Sequence, residues 1–149
     1  MSEQQNVDMV RQAYAAFANN DLEHVLGCMS PQVEWVTPDV PSLPFTGRRQ
    51  GREQIAEYFR LNRELLDMRA FIPQEFVAQG NKVVVLGHGA WTSKETGRDF
   101  ESDWVHVYTV EGGEIVAFRE FLDAHIAVEA CLCQPAQAEA APAGQRWQD

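Results

Sequence analysis

From Asn6 to Phe17 the apolar side chains recur at Val10, Ala13, Tyr14 and Phe17. Steps of three and four put them on one stripe and predict an amphipathic helix. Asn20, with Glu23 three residues later, has the form of a capping box, and Leu22, Val25, Leu26 and Met29 predict a short second helix behind it. Ser30-Pro31 should break that helix. Val33 to Val36 then predicts a strand, and Pro38, Pro41, Pro44 and Gly47 make the next stretch a loop. Helical spacing returns from Gly51 to Leu66, with Ile55, Tyr58, Phe59, Asn62, Leu65 and Leu66 on one face and Glu53, Glu57, Arg60 and Arg63 on the other. After Asp67 the texture changes to extended runs over 69–79, 82–93, 98–110 and 114–122. Gly80-Asn81, Glu95-Thr96-Gly97 and Gly112-Gly113 separate them at hairpin distances. Helices first and strands afterwards predict an α+β fold, with three N-terminal helices packed on one face of a curved antiparallel meander. A last short helix is expected from Ala124 to about Cys131.

Composition narrows the class. The 149 residues are 45% hydrophobic, enough for one core, so residues 1–133 are expected to form a single domain. The Ala-, Gln- and Pro-rich stretch 134–149 has little to bury and is expected to be a mobile tail. Twelve Lys and Arg against 22 Asp and Glu give a net charge of −10, which repels phosphate backbones and anionic lipid. Neither nucleic acid nor a membrane is therefore an expected partner. No run approaches the roughly 18 apolar residues of a membrane span. The opening MSEQQNVDMV lacks the basic-then-apolar layout of a signal peptide, so the cytoplasm is the expected location. Cys28, Cys131 and Cys133 are too few for a disulfide scaffold and lack the second pair of a zinc site, so they are read as reduced thiols.

Several segments carry a resemblance. They are Asn20-Asp21-Leu22, Val33-Glu34-Trp35 before Pro38, Gly51-Arg52-Glu53-Gln54-Ile55, and the end strands Trp104-Val105-His106-Val107-Tyr108 and Phe118-Arg119-Glu120-Phe121-Leu122-Asp123. With the order of elements, they make residues 6–131 resemble the cone-shaped fold of nuclear transport factor two, ketosteroid isomerases, limonene epoxide hydrolases and SnoaL-like polyketide cyclases. That resemblance implies a curved sheet and helices enclosing a largely apolar cavity. Function on such a scaffold has to be argued from the pocket.

Strand alternation sorts the side chains. If His106 points inward, so do Ser102, Trp104 and Tyr108. Glu120 then shares the inner face with Phe118 and Leu122, Gly87, Gly89 and Trp91 with the preceding strand, and Trp35 and Thr37 with the first. With Tyr14 and Phe59 from the helices, these residues are the expected contacts for a flat, hydrophobic, partly oxygenated small molecule. The two glycines are expected to enlarge the space.

His106 and Glu120 are the candidate catalytic pair, because a tight Gly-Gly turn joins their strands and brings them within hydrogen-bonding reach. A carboxyl group among apolar walls holds its proton more tightly than in water, and an imidazole beside it can share that proton. Such a pair suits proton abstraction next to a carbonyl. In SnoaL-like cyclases a His and an Asp occupy matching positions with the same separation of fourteen residues, and Glu120 here replaces the Asp. The resemblance therefore implies cyclisation, isomerisation or dehydration of a hydrophobic carbonyl compound, with Glu120 as general base or acid and His106 as its partner and oxyanion donor, and no cofactor. A non-catalytic ligand-binding or accessory protein is the alternative, and a limonene-type epoxide hydrolase the second.

The sister activities lack their residues. A steroid isomerase would need a carboxylate at Thr37 and its pocket tyrosine near Ala13, one position from Tyr14. A limonene-type epoxide hydrolase would need Arg and Asp where Gly87 and Gly89 stand. His88 could be imagined with His106 and Glu120 as a two-His-one-carboxylate metal site, but parity puts it on the outer face, so no metal is expected. Arg48, Arg49 and Arg52 form a basic cluster that could gate the cavity mouth. Val105, Val107, Phe121 and Val116 make the outer sheet face apolar. A homodimer through that face is expected, with Asp103, Arg119 and Asp123 pairing at its rim.

Overall fold

The computed structural model describes residues 2–39, 43–44 and 46–132, so Cys133 and the expected tail lie outside the described residues. The elements are α1 (Glu3–Ala18), α2 (Leu22–Gly27), β1 (Met29–Val36), β2 (Arg48–Gln50), α3 (Arg52–Leu65), β3 (Leu66–Gln79), β4 (Lys82–Ser93), β5 (Asp99–Glu111), β6 (Glu114–Leu122) and α4 (Ala124–Leu132). Ser2 and Gln5 form a reciprocal capping box, which starts α1 ahead of its apolar stripe. The box expected at Asn20 and Glu23 does not form. Asp21 caps α2 instead, accepting from the His24 amide at 3.1 Å, while Asn20 turns the corner with a φ of 63°.

Met29 and Ser30-Pro31, expected to close α2, open β1 instead. Proline has no ladder donor. It is accommodated because Pro31 falls in the irregular stretch of β1 between the pairs Met29–Ile115 and Glu34–Ala117.

The sheet runs β2-β1-β6-β5-β4-β3. Strands β3 to β6 are the expected antiparallel meander, but β1 joins β6 in parallel, which makes the sheet mixed. A parallel neighbour needs a long crossover, and α3 with the meander supplies it. Register shifts in β1, β3 and the β5–β6 pair bend the sheet, which stays unclosed between its edges β2 and β3. Gly80 and Gly112-Gly113 take positive φ in the hairpin turns, a backbone region that side chains disfavour.

Along β5 the pleat is regular. Phe100, Ser102, Trp104, His106, Tyr108 and Val110 are buried, and the residues between them are not. The core beneath the helices is built on Val10, Val33, Ile55, Val83, Val85 and Ile115, each almost fully buried.

Gly87 and Gly89 do face inward, yet they add no space to the pocket. A Cβ on Gly87 would lie 2.2 Å from Cζ2 of Trp104 and 2.6 Å from the carbonyl oxygen of Ile72; a Cβ on Gly89 would lie 2.3 Å from Cη2 of Trp91. Each glycine is the seat of an indole. The volume removed at Cβ is filled at once by a tryptophan, Trp104 from the neighbouring strand and Trp91 from two residues along the same one.

On the outer face, Val77, Val84, Val107 and Arg119 line up across four strands, with Leu86, Val105 and Phe121 beside them. Ile72, Val77, Leu86 and Phe121 are 51%, 58%, 36% and 48% exposed, so this apolar face is open in the single chain. Its charged groups already have partners within the chain. His88 Nδ1 lies 2.8 Å from Asp103 and Nε2 3.1 Å from Glu101, the Arg119 guanidinium lies over the Phe121 ring, and Asp123 accepts from the amides that open α4. The hydrogen bond to Asp103, aided by Glu101, raises the His88 pKa above its usual 6.5.

Two predictions follow from this packing. Gly87→Ala forces its methyl into the Trp104 indole and should destabilise the fold by about 1–3 kcal/mol in urea unfolding, although alanine suits a strand better than glycine. His88 should titrate above 6.5 by NMR and fall back toward that value in Asp103→Asn. Because the folded state binds this proton more tightly, the contact stabilises the fold below the unfolded pKa and is lost as pH rises through the native one.

Candidate active site

The antiparallel register sets His106 directly opposite Glu120, and the pleat turns both inward. His106 Nε2 is 2.9 Å from Glu120 Oε2, with the two side chains only 5% and 12% exposed. A third residue completes the arrangement. The apolar stripe of α1 carries Tyr14 toward the sheet, where its hydroxyl lies 2.6 Å from His106 Nδ1. With Glu120 ionised, one tautomer satisfies both contacts: Nε2–H donates to the carboxylate and Nδ1 accepts from the Tyr14 hydroxyl. Burial pushes the Tyr14 pKa far above its usual value, with Tyr108 and Glu120 adding to the effect, so the phenol keeps the proton it donates. Tyr108 meets the Tyr14 ring edge-on at 5.9 Å between centroids, and its own phenol is raised chiefly by burial. The polar chain therefore runs Tyr14, His106, Glu120.

Aromatic rings hold this chain in place. Trp104 stacks on the His106 ring at 4.0 Å between centroids, Phe71 stacks on Trp104 at 4.6 Å, and Phe118 meets His106 edge-on at 4.6 Å. The imidazole is thus fixed by its two hydrogen bonds and by its faces. Both its nitrogens are engaged, so His106 orients Glu120 in this arrangement and offers no free N–H to an oxyanion.

Glu120 and His106 open onto a pocket of about 130 Å³ between the helices and the sheet. For scale, a dry cavity of roughly 150 Å³ holds one benzene ring. Tyr14, Trp35, Thr37, Phe59, Trp91, Tyr108 and Leu122 line it as the sequence reading expects; Trp104 does not, because its indole is spent on Gly87 and His106. Thr37 reaches the wall, but its hydroxyl is committed to the loop, accepting from the Gly47 amide at 3.1 Å and donating to the Gly47 carbonyl at 3.4 Å. Tyr58 and Asn62, one turn apart on α3, are polar wall residues that the sequence reading left among the helix core. Burial raises the Tyr58 phenol well above its usual pKa, and the Glu120 charge raises it further. Among the described residues its hydroxyl has no side-chain hydrogen-bond partner.

The other candidates have structural roles. His88 lies on the outer face with Asp103 and Glu101, so it cannot join His106 and Glu120 around one metal ion. Arg48 pairs with Glu34, Arg49 with Glu57 and the carbonyls of Pro44 and Gln54, and Arg52 with the Met29 carbonyl; none of the three lines the pocket. Cys28 and Cys131 are free thiols, both raised in pKa by burial. No helix among the described residues is long and apolar enough to cross a membrane.

Known proteins place this site in context. Residues 10–118 match the SnoaL-like domain. An NTF2-like protein of Burkholderia xenovorans LB400 is 32% identical, superposes with a TM-score of 0.79, and is matched over 87% of this chain and 98% of its own. An NTF2-like protein of Burkholderia pseudomallei K96243 is 30% identical with a TM-score of 0.81, over 89% of this chain and 100% of its own. TerC, in a structure co-crystallised with polyporic acid, is 31% identical with a TM-score of 0.78, over 85% of this chain and 97% of its own. No match is found among curated proteins. The inward His and Glu, the bent six-stranded sheet and the domain match over most of the sequence agree, and the chain belongs to the SnoaL-like domain family.

Proposed function

We propose that this chain is a cofactor-independent cyclase, isomerase or dehydratase that moves protons on a hydrophobic carbonyl compound. The observation that carries this reading is the hydrogen-bonded chain from Tyr14 through His106 to Glu120, which ends in a carboxylate on an otherwise apolar wall. A carboxylate beneath aromatic rings is expensive to bury, and groups held that way concentrate where proton transfer is needed. Glu120 takes a proton from the carbon next to the carbonyl; the C–H electron pair forms a C=C bond and the carbonyl π pair moves onto oxygen as an enolate. His106 holds Oε2, leaving Oε1 to receive that proton. Tyr58, protonated and lining the same pocket from α3, is the donor available to the enolate oxygen. Returning the proton to another carbon isomerises the substrate. Attack of the enolate carbon on a second carbonyl closes a ring, and loss of a β-hydroxyl protonated by Glu120 releases water.

TerC, crystallised with polyporic acid, supports an organic small molecule as the occupant. Epoxide hydrolysis is disfavoured, because the positions needing Arg and Asp are Gly87 and Gly89, and indoles fill the space in front of both. The setting we propose is the cytoplasm, where free Cys28 and Cys131 stay reduced. We also propose a homodimer in which a second copy covers the outer apolar face around Val77, Leu86 and Phe121.

Deuterium exchange next to the carbonyl, followed in D2O over a panel of polyketide-like ketones, tests the chemistry. Glu120→Gln should lower the exchange rate by about 10²–10⁴-fold while ligand affinity survives. Exchange by neither form, with ligands bound equally by both, would favour the non-catalytic binding reading. Tyr14→Phe leaves Nδ1 of His106 without its donor; it should lower kcat with little change in KM and destabilise the fold by about 1–3 kcal/mol. Phe121→Glu places a charge in the proposed dimer face and should sediment as a monomer where the unmodified chain sediments as a dimer.

A further inference from the structure

A second concavity lies outside the catalytic pocket, between α1, the end of α3 and β3, with a volume of about 800 Å³. Its mouth carries Arg11, Arg63, Arg69 and Lys94 against one acid, Asp67. That balance is the reverse of the chain's, which has 22 acidic and 12 basic residues. Lys94 is partly neutralised by Asp67 at 3.7 Å, and Arg69 lies 3.9 Å from Asp99. Arg11 and Arg63 are different. Among the described residues neither has a carboxylate within ion-pair distance: the Arg11 guanidinium sits 4.0 Å above the Phe76 ring, and Arg63 donates to the side-chain oxygen of Asn20.

The groove also shares a wall with the catalytic pocket, since Tyr14, Phe17, Phe59, Asn62, Met68 and Phe71 line both. The two volumes differ in what they can hold. The inner pocket takes about one ring, whereas the groove falls within the roughly 300–1,000 Å³ of ordinary ligand sites.

We propose that this groove is a binding subsite for the anionic end of an amphipathic aromatic ligand, a carboxylate or ionised enol, whose ring end enters the pocket of Glu120. The two guanidiniums without acidic partners take the anion, and the aromatic residues common to both linings pack against its rings. In a protein of net charge −10 an anionic ligand is repelled on average, and the basic lining of this groove offsets that repulsion locally. The proposal rests on the reading of Glu120 and His106 as the reacting end, and it is tested by binding alone, so absence of turnover leaves its outcome readable.

Two fluorescent probes differing by one sulfonate decide it: 8-anilinonaphthalene-1-sulfonate, which is anionic, and N-phenyl-1-naphthylamine, which is neutral. Each is titrated into the full chain, into Arg11→Gln/Arg63→Gln, and into Arg60→Gln, with thermal unfolding of each variant as a check on folding. Arg60 pairs with Glu64 on the exposed side of α3 and does not line the groove, so its removal controls for the loss of a positive charge remote from the groove. The anionic probe should bind the unmodified chain more tightly. It should lose about fivefold or more in affinity in the double variant and with added salt, as expected for lost charge-assisted contacts. The neutral probe should change less than about twofold, and Arg60→Gln should leave both probes unaffected. Equal affinity for the two probes, or an equal loss for the anionic probe in Arg60→Gln and the double variant, would overturn the proposal.

Discussion

A carboxylate placed beneath indole and phenol rings persists only where hydrogen bonds offset its lost hydration. Glu120 meets that condition through His106, and His106 meets it through Tyr14. Three separate elements must therefore arrive together, α1 with Tyr14, β5 with His106 and β6 with Glu120. The bend of the sheet, the docking of α1 and the burial of Trp104 all serve that meeting. If α1 failed to dock, a buried imidazole nitrogen would be left unpaired beside a charge.

The same economy governs the aromatic packing. Trp104 needs room near the backbone of β4, and Gly87 provides it; Trp91 takes the equivalent room over Gly89. In consequence the inner pocket is small, and the strand that would carry the polar machinery of an epoxide hydrolase carries indole rings. Beside it, the groove by α1 shares aromatic residues with the pocket and turns basic at Arg11, Arg63, Arg69 and Lys94.

The strand pattern made much of this legible. Period-two alternation in β5 and β6 identified the inward residues, and the tight Gly-Gly turn brought His106 and Glu120 to within one ladder position of each other, because turn length fixes register. The helices were harder. The periodicity of α1 put Tyr14 on the core stripe, but helical phase leaves open which sheet residue a long side chain will reach, so its bond to His106 was not readable. Tyr58 and Asn62 were hidden for the same reason. The signal that could have raised them was a phenol and an amide one turn apart on an otherwise apolar stripe.

Sequence by itself determined the α+β class, the meander and its turns, the inward faces of β5 and β6, and the apolar outer face, because these depend on local periodicity and on short-range turn geometry. Only the tertiary structure decided that β1 joins β6 in parallel and that Met29 and Pro31 belong to a strand. It alone decided that the two glycines seat tryptophans instead of opening a cavity, and that scattered arginines share one groove. Those outcomes depend on which distant surfaces meet, and the free energy of that meeting is written in no single segment.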